Sequence, residues 1–547
     1  MDDNWPNIHL SKATRYRSRK RAAVEASSLF TSSSSSNNDN YNANQTLPIL
    51  SLPLNIPPLS NPTPNPNVEM HNCSINPLPS NEDNILNTDN YDSFTENTSS
   101  DEYEFVSKVV ESSSDVGLEL VIARWSIRHN ITHLALDDLL KSISLFPQFK
   151  GLPKDSRTLL RTPTTTLVKE ISGGIYHHFG LKNEIEQLFK VYDNGSLPSS
   201  LMLVVGIDGL PLSKNPPSQL WPCLGYFSNL GKSRDVFIIG VYYGQLKPQN
   251  SKEFLLDLVN DLSFFYKTGI VYNNINIKVQ LKALICDTPA KSFALNVKGH
   301  TGKHSCNRCY TVGRYGNNRV FFPDLCSTLR TRESFISYSD LNFHCNKTIL
   351  SDIPDLVSGI PFDYMHCILI GVTKKLLMFW TGGIKPHSQN LPKFLISAID
   401  LKLNELGLYI PQDFQRGPKE NSRKHPLQDA SRWKATELRQ CLLYTGMVVF
   451  HNILEKKVYN HFIVLCVAIR IMSTDNIPEE YILFAKKILI CFVSQFAEIY
   501  GNTFMSHNIH IMLHLADDVQ TFGSLNNFSA FPFESFMQPL KKKKKVV

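Results

Sequence analysis

A succession of apolar runs, two of which are followed directly by an aspartate, constrains the fold of this chain more than any other feature. The predicted strands are Leu201–Ile207, Trp221–Phe227, Asp235–Tyr243 and Ile275–Cys286, and a helix is predicted at Ser251–Tyr266. In the resulting order β-β-β-α-β, the first and fourth strands can lie side by side. Asp208 and Asp287 directly follow these two strands. We therefore expect the two carboxylates to be neighbours at one edge of a sheet.

A third acidic residue, Glu534, lies much later in the sequence, within the segment Phe531–Phe536. Two aspartates and a glutamate that converge can hold two divalent cations, which activate an attacking hydroxyl and stabilise the leaving oxygen of a phosphoryl transfer. Oxygen ligands of this kind select Mg²⁺ or Mn²⁺. Taken singly, Asp208-Gly and Asp287-Thr-Pro are also ordinary turn sequences at the end of a strand. Their matching positions, together with the late glutamate, favour the metal site.

Two pairs of residues between the second aspartate and the glutamate have the spacing of metal ligands. Cys306 and Cys309 form a CxxC pair, and His510 and His514 form an HxxxH pair shortly before Glu534. Two thiolates and two imidazoles suit tetrahedral Zn²⁺. The histidines could instead be a polar stripe on a helix, and the cysteines a redox pair. Reserve ligands are His300, His304 and Cys326.

Composition divides the 547 residues into regions. The predicted organisation is a basic arm and a disordered Ser/Asn/Pro-rich linker at 1–100, a small helical domain at 101–200, an α/β part at 201–310, a helical segment at 311–505, and a final region at 506–547 with the histidine pair and a truncated helix that carries Glu534. No run of eighteen apolar residues and no signal-peptide core are present, so neither a membrane span nor a secreted protein is expected. Eleven cysteines, mostly scattered singly, indicate a reducing compartment rather than a disulfide scaffold.

Within 101–200, apolar residues at helical spacing predict two short helices, with Thr132 as the N-cap of the second. A helix pair of this kind could place a recognition helix on DNA. Two packed helices are far commoner as plain structure, and that alternative is favoured here.

The net charge of +7 is concentrated at the two ends of the sequence. Residues 1–21 contribute +4 and residues 541–545 contribute +5, which leaves about −2 for the rest. Contacts to DNA must therefore come from local patches or from the ends. The segment Lys12–Arg21 is interpreted as a nuclear localisation signal or a phosphate-contacting arm, with a solvated basic tail as the alternative. A nuclear protein is expected.

Taken together, the motifs resemble the CACTA (En/Spm-like) family of cut-and-paste DDE transposases, over roughly residues 201–540. The resemblance rests on Asp208-Gly-Leu-Pro with the following Leu220-Trp-Pro, Cys286-Asp-Thr-Pro-Ala-Lys, the segment His300–Cys309, Phe362-Asp-Tyr-Met-His366, His510-Ile-Met-Leu-His514 and Phe531-Pro-Phe-Glu-Ser-Phe-Met537. More distantly, the order of motifs is similar to the large subunit of the V(D)J recombinase and its transposon relatives. In those proteins a CxxC after the second aspartate and two histidines before the glutamate share one zinc.

This resemblance implies a ribonuclease-H-like mixed sheet with flanking helices, interrupted by a large all-helical insertion. The catalytic acids would be Asp208, Asp287 and Glu534, which hold two Mg²⁺ or Mn²⁺ ions. A structural Zn²⁺ would be held by Cys306, Cys309, His510 and His514. The implied activity is metal-dependent cleavage and transfer of DNA strands, with transposon ends and target DNA as partners. Homo-oligomerisation is left open, and no membrane is involved.

Asp363 and His366 match a D-x-x-H element found in these transposases between the second aspartate and the glutamate. Asp363 is expected first of all to cap the helix that runs to Trp380. His366 is expected to line the active site or to pair with a phosphate. Candidates for DNA contact are Arg308, Arg314, Arg319, Trp221, Tyr242, Tyr243 and the basic segment Arg416–Lys434, which includes Arg423 and Lys424. A charge run of this kind is more often only a solvated face.

The sequence after Glu534 departs from the family pattern. The family would continue the helix that bears the glutamate, whereas here Pro539 is expected to break it and a lysine run follows. The lysine run resembles a short nuclear localisation signal, and an aberrant chain end is the alternative. A broken helix would hold Glu534 poorly, so the alternative function is a catalytically inactive DNA-binding or scaffold protein derived from a transposase. A ribonuclease-H-like nuclease without transposition is a third hypothesis.

Overall fold

The apolar runs of the sequence form the central strands of a curled mixed sheet. The structure, a computed structural model, describes residues 117–543 except 130, 163–164, 192–196, 231–233, 353–358, 385–388, 412–413 and 415–424. The strands are β1 (Lys169–Ile171), β2 (Gly174–His178), β3 (Ser200–Ile207), β4 (Leu210–Lys214), β5 (Pro217–Phe227), β6 (Phe237–Gly244), β7 (Ile270–Tyr272), β8 (Ile275–Cys286), β9 (Arg314–Gly316) and β10 (Arg319–Phe321). The sheet order is β1-β2-β6-β5-β3-β8-β7, with β4 paired to β5 and β9 and β10 forming a separate hairpin.

The predicted neighbourhood of the first and fourth strands is confirmed. β3 and β8 pair in parallel, whereas the other neighbouring strands within the described residues are antiparallel. The sheet also begins earlier than expected, because the short strands β1 and β2 lie within the region assigned to a helical domain. Their sequence, Lys169–His178, is polar and glycine-rich, so it lacks the apolar run that would reveal a strand. β2 belongs to the sheet because it pairs with β6 in antiparallel orientation.

Helices account for most of the remaining described residues. They are α1 (Leu118–Arg128), α2 (His133–Ile143), α3 (Ser156–Leu159), α4 (Lys182–Val191), α5 (Ser251–Lys267), α6 (Thr288–Leu295), α7 (Arg332–Ile336), α8 (Lys374–Trp380), α9 (Lys393–Leu406), α10 (Ala435–Gln440), α11 (Gly446–Val449), α12 (Lys456–Met472), α13 (Glu479–Tyr500), α14 (His507–His510), α15 (Leu515–Phe522) and α16 (Phe531–Lys543). Met365–Thr373 and Cys441–Thr445 are π-helical and continue into α8 and α11. Short 3₁₀ turns lie at Pro147–Phe149, Ile349–Asp352, Ala430–Arg432, Asn502–Phe504, Ile511–His514 and Leu525–Phe528.

Two hydrophobic cores lie on opposite faces of the sheet. Because side chains alternate along a strand, Leu203 and Val205 of β3 pack with α5, whereas Val204 packs with the large helical core. That larger core contains the π-helix from Met365, α12, α13, α15 and α16. The sheet is therefore covered on both sides, and we call the side of the large helical core the helical face.

The two N-terminal helices match the expected pattern. Thr132 caps α2 by accepting a hydrogen bond from the Ala135 amide at 3.2 Å, which confirms the predicted cap. They share a small apolar cluster with α3, in which the buried residues are Leu136 and Leu140 of α2 and Leu159 of α3.

The prediction that Pro539 breaks the glutamate-bearing helix is wrong. α16 runs from Phe531 through Pro539 to Lys543. A proline removes only its own amide donor and crowds the carbonyl four residues earlier. The missing donor is that of Pro539 and the crowded carbonyl is that of Ser535, and both lie after Glu534. Phe533 and Met537 on its inner side are buried in the large core, which stabilises the helix independently of that bond.

Several sequence predictions lie outside the described residues: the N-terminal arm and linker at 1–100, and the basic residues Arg423 and Lys424. Within the described part of the chain, no helix combines the length and the apolar character needed to cross a bilayer.

Candidate functional site

The two aspartates lie on the same side of the sheet because β8 contains a bulge. The register runs from Leu203 with Leu281, to Val204 with Ala283, and ends with Ile207 opposite Cys286. Lys282 is thus an extra residue, and one extra residue reverses the side to which all following side chains point. Without it, Asp287 would point towards α5. With it, Asp287 follows β8 on the helical face, next to Asp208 at the end of β3.

Both aspartates are also fixed by local hydrogen bonds. Asp287 is the N-cap of α6 and accepts the Ala290 amide at 2.7 Å. Asp208 accepts the Gly209 amide at 2.7 Å. Burial, followed by the negative charge of Asp287, raises the pKa of Asp208 to about 7. A divalent cation bound between the two carboxylates would reduce the electrostatic repulsion between them.

Glu534 reaches these aspartates because α16 packs closely against β3. Phe533 lies directly on Gly206, where a methyl group in place of the glycine hydrogen would lie 2.5 Å and 2.6 Å from two of its ring carbons. The Phe533 ring also contacts Tyr226 of β5, with 5.5 Å between the ring centroids. Glu534, the next residue, is half exposed and lines the same small cleft as Asp208 and Asp287.

Asp363 joins the start of α16 to the π-helix. One carboxylate oxygen accepts the Ala530 amide at 2.8 Å and the Met365 amide at 3.3 Å, and the other accepts the His366 amide at 2.9 Å. The bonds to Met365 and His366 confirm the expected capping role. The bond to Ala530 adds a second role, since it fixes the residue that precedes α16. The carboxylate is fully buried, so each of these bonds is made away from water.

His366 is held between Asp363 and the acidic cleft. Its Nδ1 lies 2.6 Å from Asp363, and its Nε2 lies 3.9 Å from Oε1 of Glu534. Burial alone would lower the pKa of His366, but the hydrogen bond to Asp363 and the negative charges of Asp363, Asp208 and Asp287 outweigh it and raise the pKa to about 9. Ligand atoms of Asp208, His366 and Glu534 all lie within 4.8 Å of one another. These three residues could therefore hold a metal ion, with Asp287 beside them.

A second cluster, the Cys₂His₂ group, unites the two predicted ligand pairs. The two thiol sulfurs are 3.6 Å apart, Cys309 Sγ lies 3.3 Å from His510 Nε2, and Cys306 Sγ lies 3.6 Å from His514 Nε2. Zn–S bonds of about 2.3 Å and Zn–N bonds of about 2.0–2.1 Å at tetrahedral angles require about 3.8 Å between sulfurs and about 3.6 Å between sulfur and nitrogen. The observed separations approximate the edges of that tetrahedron, so this buried group could bind a metal such as zinc.

The electrostatics of the CxxC turn favour a thiolate at Cys306. Burial by itself raises the thiol pKa, but hydrogen bonds from the Cys309 thiol and from the Arg308 and Cys309 amides outweigh burial and lower the pKa of Cys306 to about 7. The sulfur separation of 3.6 Å is far longer than a disulfide bond of about 2.05 Å, so the pair is reduced. Of the reserve ligands, Cys326 is exposed, and neither His300 nor His304 belongs to the group.

Arg308, expected to contact DNA, instead joins the CxxC turn to α15. Its guanidinium forms a buried ion pair with Asp518 and donates to the Ile360 carbonyl at 3.2 Å. The second carboxylate oxygen of Asp518 accepts the Phe362 amide at 2.8 Å. Arg308 therefore has a structural role in this fold, because a buried acid is compensated by a paired guanidinium, and its contact with DNA stays a prediction.

The other candidates for DNA contact divide into buried and exposed residues. Trp221 and Tyr242 are core residues of the sheet, whereas Tyr243 is half exposed. Arg314 is exposed and pairs with Asp324 at 3.1 Å. Arg319 lies over the ring of Phe504, 4.6 Å from its centroid.

The sequence interpretation missed residues that hold these two sites in place. Asp518 follows His514 by four residues, as His514 follows His510, and this spacing on one helix face was the available signal. Lys291 follows Asp287 by four residues, is buried, and donates to the Pro361 carbonyl at 2.8 Å. Gly206 carried no signal of its own, because its closeness to Phe533 arises only from tertiary packing.

Neither the models of known protein families nor the curated proteins gave a match to the chain.

Proposed function

We propose that this chain is a transposon-derived DDE transposase that cleaves and joins DNA strands by metal-dependent, in-line phosphoryl transfer. The observation that carries the proposal is the parallel pairing of β3 and β8, whose bulge turns Asp208 and Asp287 to the face on which α16 presents Glu534. The sequence resemblance to CACTA transposases supports the same assignment. The neighbouring order β6-β5-β3-β8 in the mixed sheet is compatible with the ribonuclease-H-like sheet that the resemblance implies, and the helical insertion before the glutamate is part of the proposal.

The three acids would hold two Mg²⁺ or Mn²⁺ ions, which supply activation of the attacking hydroxyl and neutralisation of the leaving oxygen. The role of the protein is to fix the acids in space. Asp208 and Asp287 are fixed by their strands and local hydrogen bonds, and Glu534 is fixed through Phe533 and the bond from Ala530 to Asp363. Such pre-organisation matters because a misplacement of about 1 Å can cost about 100-fold in rate.

The Cys₂His₂ group would hold a structural Zn²⁺ that clamps the helical segment. Its cysteines lie shortly after α6, whose N-cap is Asp287, and its histidines lie shortly before α16. One ion bound to both pairs would therefore join the two parts of the chain that carry the second aspartate and the glutamate.

The test is nicking of duplex DNA by the purified chain with Mg²⁺ or Mn²⁺, compared with Asp208→Asn and Asp287→Asn. Asparagine keeps the N-cap acceptor of Asp287 and removes its charge, so the fold should survive while nicking is lost. Zinc content and thermal unfolding of each variant serve as controls for folding.

The alternative is a catalytically inactive, transposase-derived scaffold that binds DNA in the nucleus. It predicts retained zinc and DNA binding without metal-dependent nicking in wild type. Nicking that is equal in wild type and both variants would instead indicate a contaminating nuclease and refute the catalytic assignment. Strand joining, measured with a pre-cut end, separates a transposase from a nuclease.

A further inference from the structure

We propose that His366 supplies a nitrogen ligand to the catalytic metal centre, which makes the centre an Asp/Asp/Glu/His site that prefers Mn²⁺ to Mg²⁺. This inference rests on the proposed function and goes beyond it, since it names an imidazole among the ligands and the ion that the site selects.

The contacts of the imidazole ring with Asp363 orient it towards the acidic cleft. Nδ1 is engaged by the buried carboxylate of Asp363 at 2.6 Å, and the His366 amide donates to the same carboxylate at 2.9 Å. Nδ1 keeps its proton towards Asp363, and a bound cation would replace the proton on Nε2, which is released to solvent, so that the Nε2 lone pair faces the cleft. Histidine ligands of metals are held in this way, with the second nitrogen donating to a carboxylate.

The distance across the cleft fits a bound cation. Nε2 of His366 lies 3.9 Å from Oε1 of Glu534, which is too long for a hydrogen bond. Ligand atoms of an octahedral ion with bonds of about 2.1 Å are about 3.0 Å apart when adjacent and about 4.2 Å apart when opposite. The observed gap lies between these values, and ligand atoms of Asp208, His366 and Glu534 fall within 4.8 Å of one another. A cation between them would bridge groups that otherwise face each other without contact.

Close packing and a shared hydrogen-bond acceptor fix the backbone of His366. Gly371 in the same π-helix lies so close to Asn508 that an added methyl would meet its amide group. Asp363 in turn binds Ala530, so the imidazole and Glu534 are positioned by the same carboxylate. A shared anchor keeps the distance between two ligands constant, which is what a metal site requires.

Ion preference follows from the donor set. Oxygen-only sites accept Mg²⁺, whereas imidazole nitrogen favours transition metals. His366→Asn replaces the imidazole by a weaker side-chain donor, and we expect the ratio of Mn²⁺ to Mg²⁺ affinity to fall by about tenfold or more.

The decisive experiment is pulsed electron paramagnetic resonance on the full zinc-loaded chain with Mn²⁺ as the probe. Modulation from a directly bound ¹⁴N is expected in wild type. The modulation should be lost in His366→Asn and retained in His451→Asn, a matched control at an exposed histidine. Asp208→Asn identifies which bound Mn²⁺ belongs to the acidic centre.

Asp208-dependent Mn²⁺ binding without nitrogen modulation in wild type would overturn the assignment of His366 and leave the proposed function intact. Such a result would instead fit an imidazolium that pairs with a substrate phosphate. Modulation that persists in His366→Asn would likewise overturn it. If no Mn²⁺ binding depends on Asp208, the ligand assignment and the proposed metal centre both fail.

Discussion

Substitution of Gly206 by alanine is expected to displace the helix that carries Glu534. The added methyl group would lie within 2.6 Å of three ring carbons of Phe533, whereas an ordinary contact begins at 3.4 Å. The cost of such overpacking is about 1–3 kcal/mol, partly offset by about 0.5–1 kcal/mol because alanine is better than glycine in a strand. We expect a net loss of about 1–2 kcal/mol in the free energy of unfolding, and a shift of α16 by up to about 1 Å.

Urea unfolding and Mn²⁺ titration measure the two effects in the same samples. Phe533→Leu removes ring atoms from the contact, so the double variant Gly206→Ala with Phe533→Leu should be more stable than the sum of the single effects by about 1 kcal/mol or more. Gly299→Ala is the matched control, because a methyl group there meets nothing within 4 Å. If Gly206→Ala matches the control in stability and in Mn²⁺ affinity, or if the two single effects simply add, the proposed contact does not position Glu534.

Three further predictions concern the parts that support the site. Cys306→Ser should abolish stoichiometric zinc binding, measured by metal analysis, whereas Cys326→Ser at an exposed cysteine should leave it unchanged; zinc retained in the first variant would refute the ligand assignment. Arg308→Ala should lower the free energy of unfolding, measured with urea, by about 3–5 kcal/mol, because it leaves the buried acid Asp518 unpaired. Arg314→Ala, at an exposed ion pair, should lower it by less than about 1 kcal/mol. Equal losses in the two variants would contradict the buried ion pair. Burial lowers the pKa of His461 to about 4, whereas the pKa in the unfolded chain is about 6.5. Protonation therefore favours the unfolded state. The free energy of unfolding should fall by about 2 kcal/mol as the pH is lowered from about 7.5 to about 5. This part of the pH dependence should be absent from His461→Gln, and identical pH profiles would rule it out.

Much of the sheet around the acids could be predicted from the sequence. β3 and β8 are long apolar runs followed by aspartate, and strand order makes their pairing the simplest arrangement. The bulge at Lys282 could not be predicted, because it depends on how β8 fits against β3. The sequence shows only its consequence, a change from alternating residues to the continuous apolar run Ala283–Cys286.

The contacts that hold the acids in place could not be predicted from the sequence for a different reason. Asp363 could be expected to cap the next helix, because caps are local. Its bond to Ala530 spans 167 residues and has no local pattern. Arg308 is a second example, since a basic residue beside two cysteines suggests a phosphate contact, and no local pattern indicates its ion pair with Asp518. The fold brings Asp518 close to Arg308, and the two side chains form a buried ion pair.

The Cys₂His₂ group and the acidic cleft are connected by a continuous series of buried contacts. Arg308, between the two cysteines, binds Asp518, and Asp518 accepts the amide of Phe362. The next residue, Asp363, accepts the amide of Ala530 at the start of α16. These contacts are shielded from water, and they link the cysteines to the start of α16 without passing through the three acids of the proposed metal centre. Coupling between two binding sites is reciprocal, so a metal in the Cys₂His₂ group that orders α16 would bind more tightly when the acidic cleft is also filled.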